Sequence, residues 1–123
     1  MDTTKRKQLL DRYKAQATLG GVLCIRCRGN GRVWLKSTPN LSGQKNRFDF
    51  AVNTNSAPEP GMRADWALYG AGAFTFHALE TLERKETQTD AEYKDDLDFL
   101  LQIWQEKIQS MTYDEGAGQW INR

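Results

Sequence analysis

Gly20-Gly21-Val22-Leu23-Cys24-Ile25-Arg26-Cys27-Arg28-Gly29-Asn30-Gly31-Arg32-Val33-Trp34-Leu35-Lys36-Ser37-Thr38 is the stretch on which the reading of this chain turns. Gly29-Asn30-Gly31 is strong hairpin punctuation, because glycine and asparagine tolerate the positive φ that tight two-strand turns require. Val22–Arg28 and Arg32–Ser37 flank it as two strands. Gly20-Gly21 stops the helix expected upstream of the first strand.

Upstream, residues 3–17 read as a helix with a thin apolar stripe of Leu9, Leu10 and Tyr13. Downstream, Thr38 is placed as the N-cap of a short helix with Pro39 at its first position, carrying Leu41, Phe48 and Phe50. Asn53 to Gly61 is a polar loop containing proline. Met62–Tyr69 is a short helix stopped by Gly70. Ala73–Leu79 alternates as a strand, with Phe74, Phe76 and Ala78 on one side and Thr75, His77 and Leu79 on the other. Thr89 and Glu92 form a capping box. They open a last helix along which Tyr93, Leu97, Leu100, Leu101, Trp104, Ile108 and Met111 recur at steps of three and four. The resulting order, α-β-β-α-α-β-α, is an α+β fold with a small three-stranded antiparallel sheet flanked by helices. It divides into an N-terminal helix (1–19), a domain (20–111) and a C-terminal tail (112–123). That tail is expected to be loose unless Trp120 docks.

At 123 residues, 39% hydrophobic and 27% charged, the chain is long enough for one core. No apolar run approaches the ~20 residues that span a bilayer. Met1-Asp2-Thr3-Thr4-Lys5-Arg6-Lys7 lacks the apolar stretch of a signal peptide. The expectation is a cytoplasmic protein of bacterial or phage type, with no membrane contact and reduced cysteines. A net charge of +1 hides an asymmetry. Residues 1–47 carry eleven Lys/Arg against two Asp, a net of +9, and residues 48–123 carry six against fourteen Asp/Glu, a net of −8. The basic half argues for a polyanionic partner, DNA or RNA, and the acidic half offers a surface to a protein partner. Mutual neutralisation across the fold accounts for the same numbers.

Cys24-Ile25-Arg26-Cys27-Arg28-Gly29-Asn30-Gly31 matches the C-x-x-C-x-G-x-G repeat of DnaJ-type zinc domains. Zinc needs four ligands, and here there is one copy, with His77 distant in sequence. Residues three apart on an extended strand also point to opposite faces. The cysteines therefore read as small strand residues, with a zinc shared between two chains as the other possibility. No metal site is assigned, and no cofactor is expected on these residues alone. A redox C-x-x-C sits at a helix N-terminus, which this one does not.

With the elements in order, the chain resembles the GIY-YIG nuclease family over residues 20–108. Gly21-Val22-Leu23 sits where the first motif belongs, and Trp34-Leu35-Lys36 sits at the place of the second. Ser37-Thr38-Pro39-Asn40-Leu41 and Asn46-Arg47-Phe48 are similar to the segments that follow. Trp66-x-x-Tyr69-Gly70, then Phe74-Thr75-Phe76-His77-Ala78-Leu79-Glu80, is similar to the third-strand block, and Trp104 fits the final helix. The resemblance implies Mg2+- or Mn2+-dependent phosphodiester hydrolysis: a tyrosine helps deprotonate water, an arginine stabilises phosphate charge, and a glutamate holds the metal.

The positions that carry this chemistry are replaced. Leu23 and Trp34 stand for the two tyrosines, Gln44 for the arginine and Leu101 for the glutamate. An indole N–H is only a donor, and leucine offers no oxygen to a hard cation. Two substitutes lie one helical turn away: Arg47 from Gln44 and Asp98 from Leu101. They define the alternative of an active, metal-dependent endonuclease with relocated residues. Without hydrolysis, Arg26, Arg28, Arg32, Trp34, Lys36, Lys45 and Arg47 remain as a surface for phosphate contacts and base stacking. The leading expectation is a GIY-YIG-like nucleic-acid-binding domain that has lost its nuclease activity; a protein-interaction module is the third reading.

Overall fold

The computed structural model describes residues 19–123. The helix expected over residues 3–17, and Lys5, Arg6 and Lys7 with it, lies outside the described residues. The elements are β1 (Gly20–Cys27), β2 (Val33–Thr38), α1 (Leu41–Thr54), α2 (Arg63–Tyr69), β3 (Phe74–Leu82), α3 (Asp90–Lys107), β4 (Met111–Asp114) and β5 (Gln119–Asn122). β1–β3 form one antiparallel sheet in the order β2-β1-β3. The architecture is α+β, as the sequence pattern indicated. Among the described residues no helix is long and apolar enough to cross a membrane.

β1 begins at Gly20, so the glycine pair opens the strand. Close packing explains why both are glycine. A Cβ on Gly20 would come within 2.3 Å of the Tyr93 hydroxyl, and one on Gly21 within 2.0 Å of the Glu80 carbonyl. The turn into β2 closes through Cys27 N–H to the Arg32 carbonyl and Gly31 N–H to the Cys27 carbonyl, both at 2.8 Å. Gly31 adopts the positive φ (73°) that this turn requires.

Ile25 pairs with Trp34 and Leu23 with Lys36, so these residues share one face of the sheet. Leu23, Ile25 and Cys27 pack there with Leu41, Phe48 and Ala51 of α1, Met62 just before α2, Trp66 of α2, and Phe74 of β3. Val22 and Cys24 are equally buried but point the other way. That second face is covered by α3, whose Trp104 indole donates to Glu80 of β3 at 2.9 Å. A bulge sets this contact. Val22 pairs with Glu80 and Leu23 with Ala78, which leaves Leu79 as the extra residue. The strict alternation expected for the third strand therefore ends at Ala78, and Glu80 is delivered to the α3 face.

The helix after β2 is capped two residues later than expected. Thr38 stays in the sheet opposite Gly21, and its hydroxyl accepts from Asn40 N–H at 3.1 Å. The Asn40 side chain then caps α1 by accepting from Gly43 N–H at 3.0 Å. α1 is also long, 14 residues, and ends on Asn55 in the left-handed region. The capping box of α3 forms as expected, with Thr89 Oγ1 accepting from Glu92 N–H and Glu92 from Thr89 N–H, each at 3.1 Å.

The C-terminal segment is ordered. β4 and β5 form a hairpin in which Trp120 meets Tyr113 at 5.3 Å and His77 at 6.1 Å between ring centroids. Met111 lies in β4, beyond the last helix. The strand–strand hairpin follows α3 because Gly116 and Gly118 permit the turn, Gly118 at φ 68°.

Candidate nucleic-acid interface

Between the α1 face of the sheet and the segment Pro58–Met62 runs a groove of about 310 Å³. Its floor is apolar, from Leu23, Ile25, Phe48, Met62 and Phe76, and its rim carries Trp34, Lys36, Gln44, Arg47 and Glu59. The sequence explains the convergence. β1 and β2 present Leu23, Trp34 and Lys36 on one face through their register. Gln44 and Arg47 are one helical turn apart on α1. Pro58-Glu59-Pro60 holds the third wall extended, as expected for a residue preceding proline. Trp34 is half-buried. Its ring lies 5.9 Å from that of Phe74, and its Nε1 edge abuts Gly61, where a Cβ would sit 3.8 Å away. The Arg32 guanidinium covers the ring at 4.9 Å.

Three of the four positions singled out by the family resemblance, Leu23, Trp34 and Gln44, therefore share this groove. Leu101 does not. It is half-buried on α3, which packs on the opposite face of the sheet. The two substitutes are separated in the same way. Arg47 lines the groove, whereas Asp98 lines a different cavity of about 610 Å³ beside α3 and accepts from Lys94 at 2.9 Å.

The basic residues do not form one patch. Arg32, Lys36, Lys45 and Arg47 lie on the groove side. Arg26 projects from the other face, over the Tyr113 ring at 5.0 Å and paired with Glu115 at 2.9 Å. Arg28 turns back to the Gly72 carbonyl at 2.6 Å. Strand alternation separates Arg26 from Trp34 once the hairpin register is fixed.

Acidic residues that the sequence reading passed over meet each groove-side cation. Lys36 Nζ lies 3.1 Å from Glu59 Oε1, and Arg47 Nη1 lies 3.8 Å from the same oxygen. Arg47 Nη2 also donates to the Pro58 carbonyl at 2.7 Å. Arg32 reaches Asp65 at 3.5 Å, and Lys45 reaches Asp49 at 2.6 Å. The rigid Pro-Glu-Pro sequence was the one local signal that Glu59 has a fixed place. The solvent-accessible pairs contribute little to stability, about 0–1 kcal/mol each, so an incoming anion can exchange them.

Cys24 and Cys27 are both fully buried, on opposite faces of β1. Burial, only partly opposed by the nearby Arg26 charge, pushes the Cys24 thiol up to about 12. Among the described residues no group of three or more His, Cys, Asp or Glu is placed to hold a metal ion. His77 Nε2 is 2.8 Å from Thr75 Oγ1, and its ring packs 4.7 Å from that of Tyr113. Burial first, and Arg26 second, lowers its pKa below the usual histidine value.

No family model and no curated protein matches this sequence. Two solved structures match the fold, both of the catalytic domain of the homing endonuclease I-TevI. One is of a mutant and aligns at 15% identity with a TM-score of 0.54, covering 75% of this chain and 86% of that domain. The other aligns at 14% identity with the same TM-score, covering 74% and 89%. With strand order, helix placement and this likeness together, the chain has a GIY-YIG-like fold.

Proposed function

We propose that this domain binds nucleic acid through the groove beside Trp34 and has lost phosphodiester hydrolysis. The observation that carries the reading is the convergence of Leu23, Trp34 and Gln44 on one groove whose remaining cations are Lys36 and Arg47. The groove keeps a shape and charge suited to a phosphate chain while lacking the base. A leucine has no titratable proton, an indole only donates, and a glutamine amide carries no charge. Hydrolysis needs a base near working pH and fixed positive charge at the phosphate.

A divalent cation, which the fold family implies, does not fit these residues. The groove's one carboxylate, Glu59, is engaged by Lys36 and Arg47. Leu101 supplies no oxygen, and Asp98 opens into a separate cavity. No hydrolytic step is therefore assigned to a metal, and the relocated-site alternative has its two substitutes on opposite faces of the sheet.

Fluorescence anisotropy with labelled single- and double-stranded oligonucleotides at low salt tests the reading. Binding should weaken with added salt, with a log–log slope near about −1.4 if two phosphates are neutralised on a single strand. Lys36→Ala and Arg32→Ala should each weaken it. A parallel incubation with Mg2+ or Mn2+ should leave plasmid uncut. Absence of binding to every polynucleotide tried, or cleavage lost on Arg47→Ala or Asp98→Ala, rejects the proposal.

One observation favours protein contact as a second activity. Phe99 and Ile103 stand exposed one turn apart on α3, among Asp95, Asp96 and Glu106. A partner with an apolar cleft and a basic rim suits that ridge. Pull-downs that lose the same partner on Phe99→Ser and Ile103→Ser support it.

A further inference from the structure

We infer that Glu59 is an internal stand-in for phosphate, which holds the groove's two cations until a phosphodiester displaces it. The inference rests on the nucleic-acid reading above and deepens it by naming the residue that gates the site.

The geometry is specific. One oxygen of Glu59 lies between Lys36 Nζ (3.1 Å) and Arg47 Nη1 (3.8 Å), cations contributed by β2 and α1. A phosphate contacting both would need the same position. Arg47 is also held by the Pro58 carbonyl at 2.7 Å, so the same short segment restrains its guanidinium twice. Pro60 holds the preceding Glu59 backbone in an extended conformation (φ −132°, ψ 144°), and Pro58 fixes its own φ just before it. The carboxylate can leave by side-chain rotation, with no rearrangement of the loop. All three side chains are part-exposed, 34% for Glu59, 41% for Lys36 and 52% for Arg47, so the exchange takes place in contact with water. Such pairs are weak enough to yield to a doubly contacted phosphate.

The gate sets a threshold. A lone anion must compete with a carboxylate at very high effective concentration, whereas a phosphate tethered in a strand whose base also reaches Trp34 gains from two contacts at once. The ligand class is therefore a phosphodiester within an oligonucleotide.

The test compares wild type, Glu59→Gln and Glu115→Gln. The glutamine keeps the shape of Glu59 without its charge. Glu115→Gln removes one negative charge and frees one cation, Arg26, on the opposite face of the sheet. Two probes are used: anisotropy with a labelled single-stranded oligonucleotide, and thermal unfolding in sodium phosphate against sodium chloride of equal ionic strength. Glu59→Gln should bind the oligonucleotide about three- to tenfold more tightly than wild type, with a steeper salt slope. It should also be stabilised by phosphate, and Glu115→Gln should show neither effect to the same extent. If wild type binds the oligonucleotide and Glu59→Gln is no tighter than Glu115→Gln, the gate is overturned and the interface stands. If only Glu59→Gln responds to phosphate and no variant binds oligonucleotide, the phosphodiester gate is overturned together with the nucleic-acid reading, and Glu59 only screens the two cations from small anions. Equal behaviour of the two variants on both probes overturns the gate.

Discussion

The Tyr93 hydroxyl of α3 accepts a hydrogen bond from Gly20 N–H at 2.9 Å and donates to the Leu82 carbonyl, so one phenol joins the start of β1 to the end of β3. Burial outweighs the Gly20 hydrogen bond and raises the phenol pKa above its usual value. Tyr93→Phe removes this oxygen while keeping the ring. It should destabilise the fold by about 1–3 kcal/mol, the usual cost of leaving buried backbone groups unpaired. Urea unfolding checks this; a loss under about 0.5 kcal/mol would show that the junction is held by packing alone.

The cysteines should behave as buried core residues. In the folded protein an aromatic disulfide reagent should label Cys24 slowly even at pH 8.5, since its thiol pKa is pushed to about 12. Both cysteines should label rapidly in denaturant. Elemental analysis of the purified protein should find far less than one zinc per chain. Stoichiometric zinc would contradict the placement of the two thiols on opposite faces of β1.

A pH dependence follows from His77. Its folded pKa lies below the unfolded value near 6.5, chiefly through burial. The stability this group confers is fully present above pH 6.5. It is lost as pH falls toward the folded pKa, because the unfolded chain takes up the proton first. His77→Gln should flatten the decline in unfolding free energy between pH 7.5 and 5.5. An unchanged slope in the variant would assign the decline to other groups.

The C-terminal hairpin should matter for stability. Trp120 packs with Tyr113 and His77, while Arg26 lies over Tyr113 and pairs with Glu115. Trp120→Ala should lower stability by about 1–3 kcal/mol, and removal of residues 112–123 by at least as much. A melting temperature within a degree of wild type for the shortened chain would mean that the hairpin rests on the sheet without supporting it.

What the sequence disclosed follows from how local each signal is. Thr89 and Glu92 are three residues apart, so their capping box is written in the chain itself. Gly29-Asn30-Gly31 likewise marks where the chain turns, though its two glycines leave the register of the strands open. Thr38 and Asn40 are both good caps, and the choice between them depended on Thr38 being held opposite Gly21 in the sheet. The β4–β5 hairpin escaped notice because four-residue strands carry too little alternation, and Trp120 finds His77 only in three dimensions. For the groove, Leu23, Trp34, Lys36, Gln44 and Arg47 were all legible through motif order. Glu59 was not: its partners lie 23 and 12 residues away, and only folding brings them together. Arg26 joined the expected patch because the hairpin register, which puts it on the opposite face from Trp34, was undetermined.

Placing α3 on one face of the sheet and the groove on the other gives the described part of the molecule a polarity perpendicular to the sheet. α3 carries six Asp/Glu against two Lys, a net of −4. On the groove side, Arg32, Lys36, Lys45 and Arg47 outnumber their partners Asp49, Glu59 and Asp65 by one. A polyanion of the proposed kind would be repelled from α3 and meet less resistance on the opposite side, which would bias encounters toward the groove before any contact forms. For the proposed nucleic-acid ligand, the acidic helix would act on orientation and association rate, and raising the salt concentration would erase that bias even where the bound contacts survive.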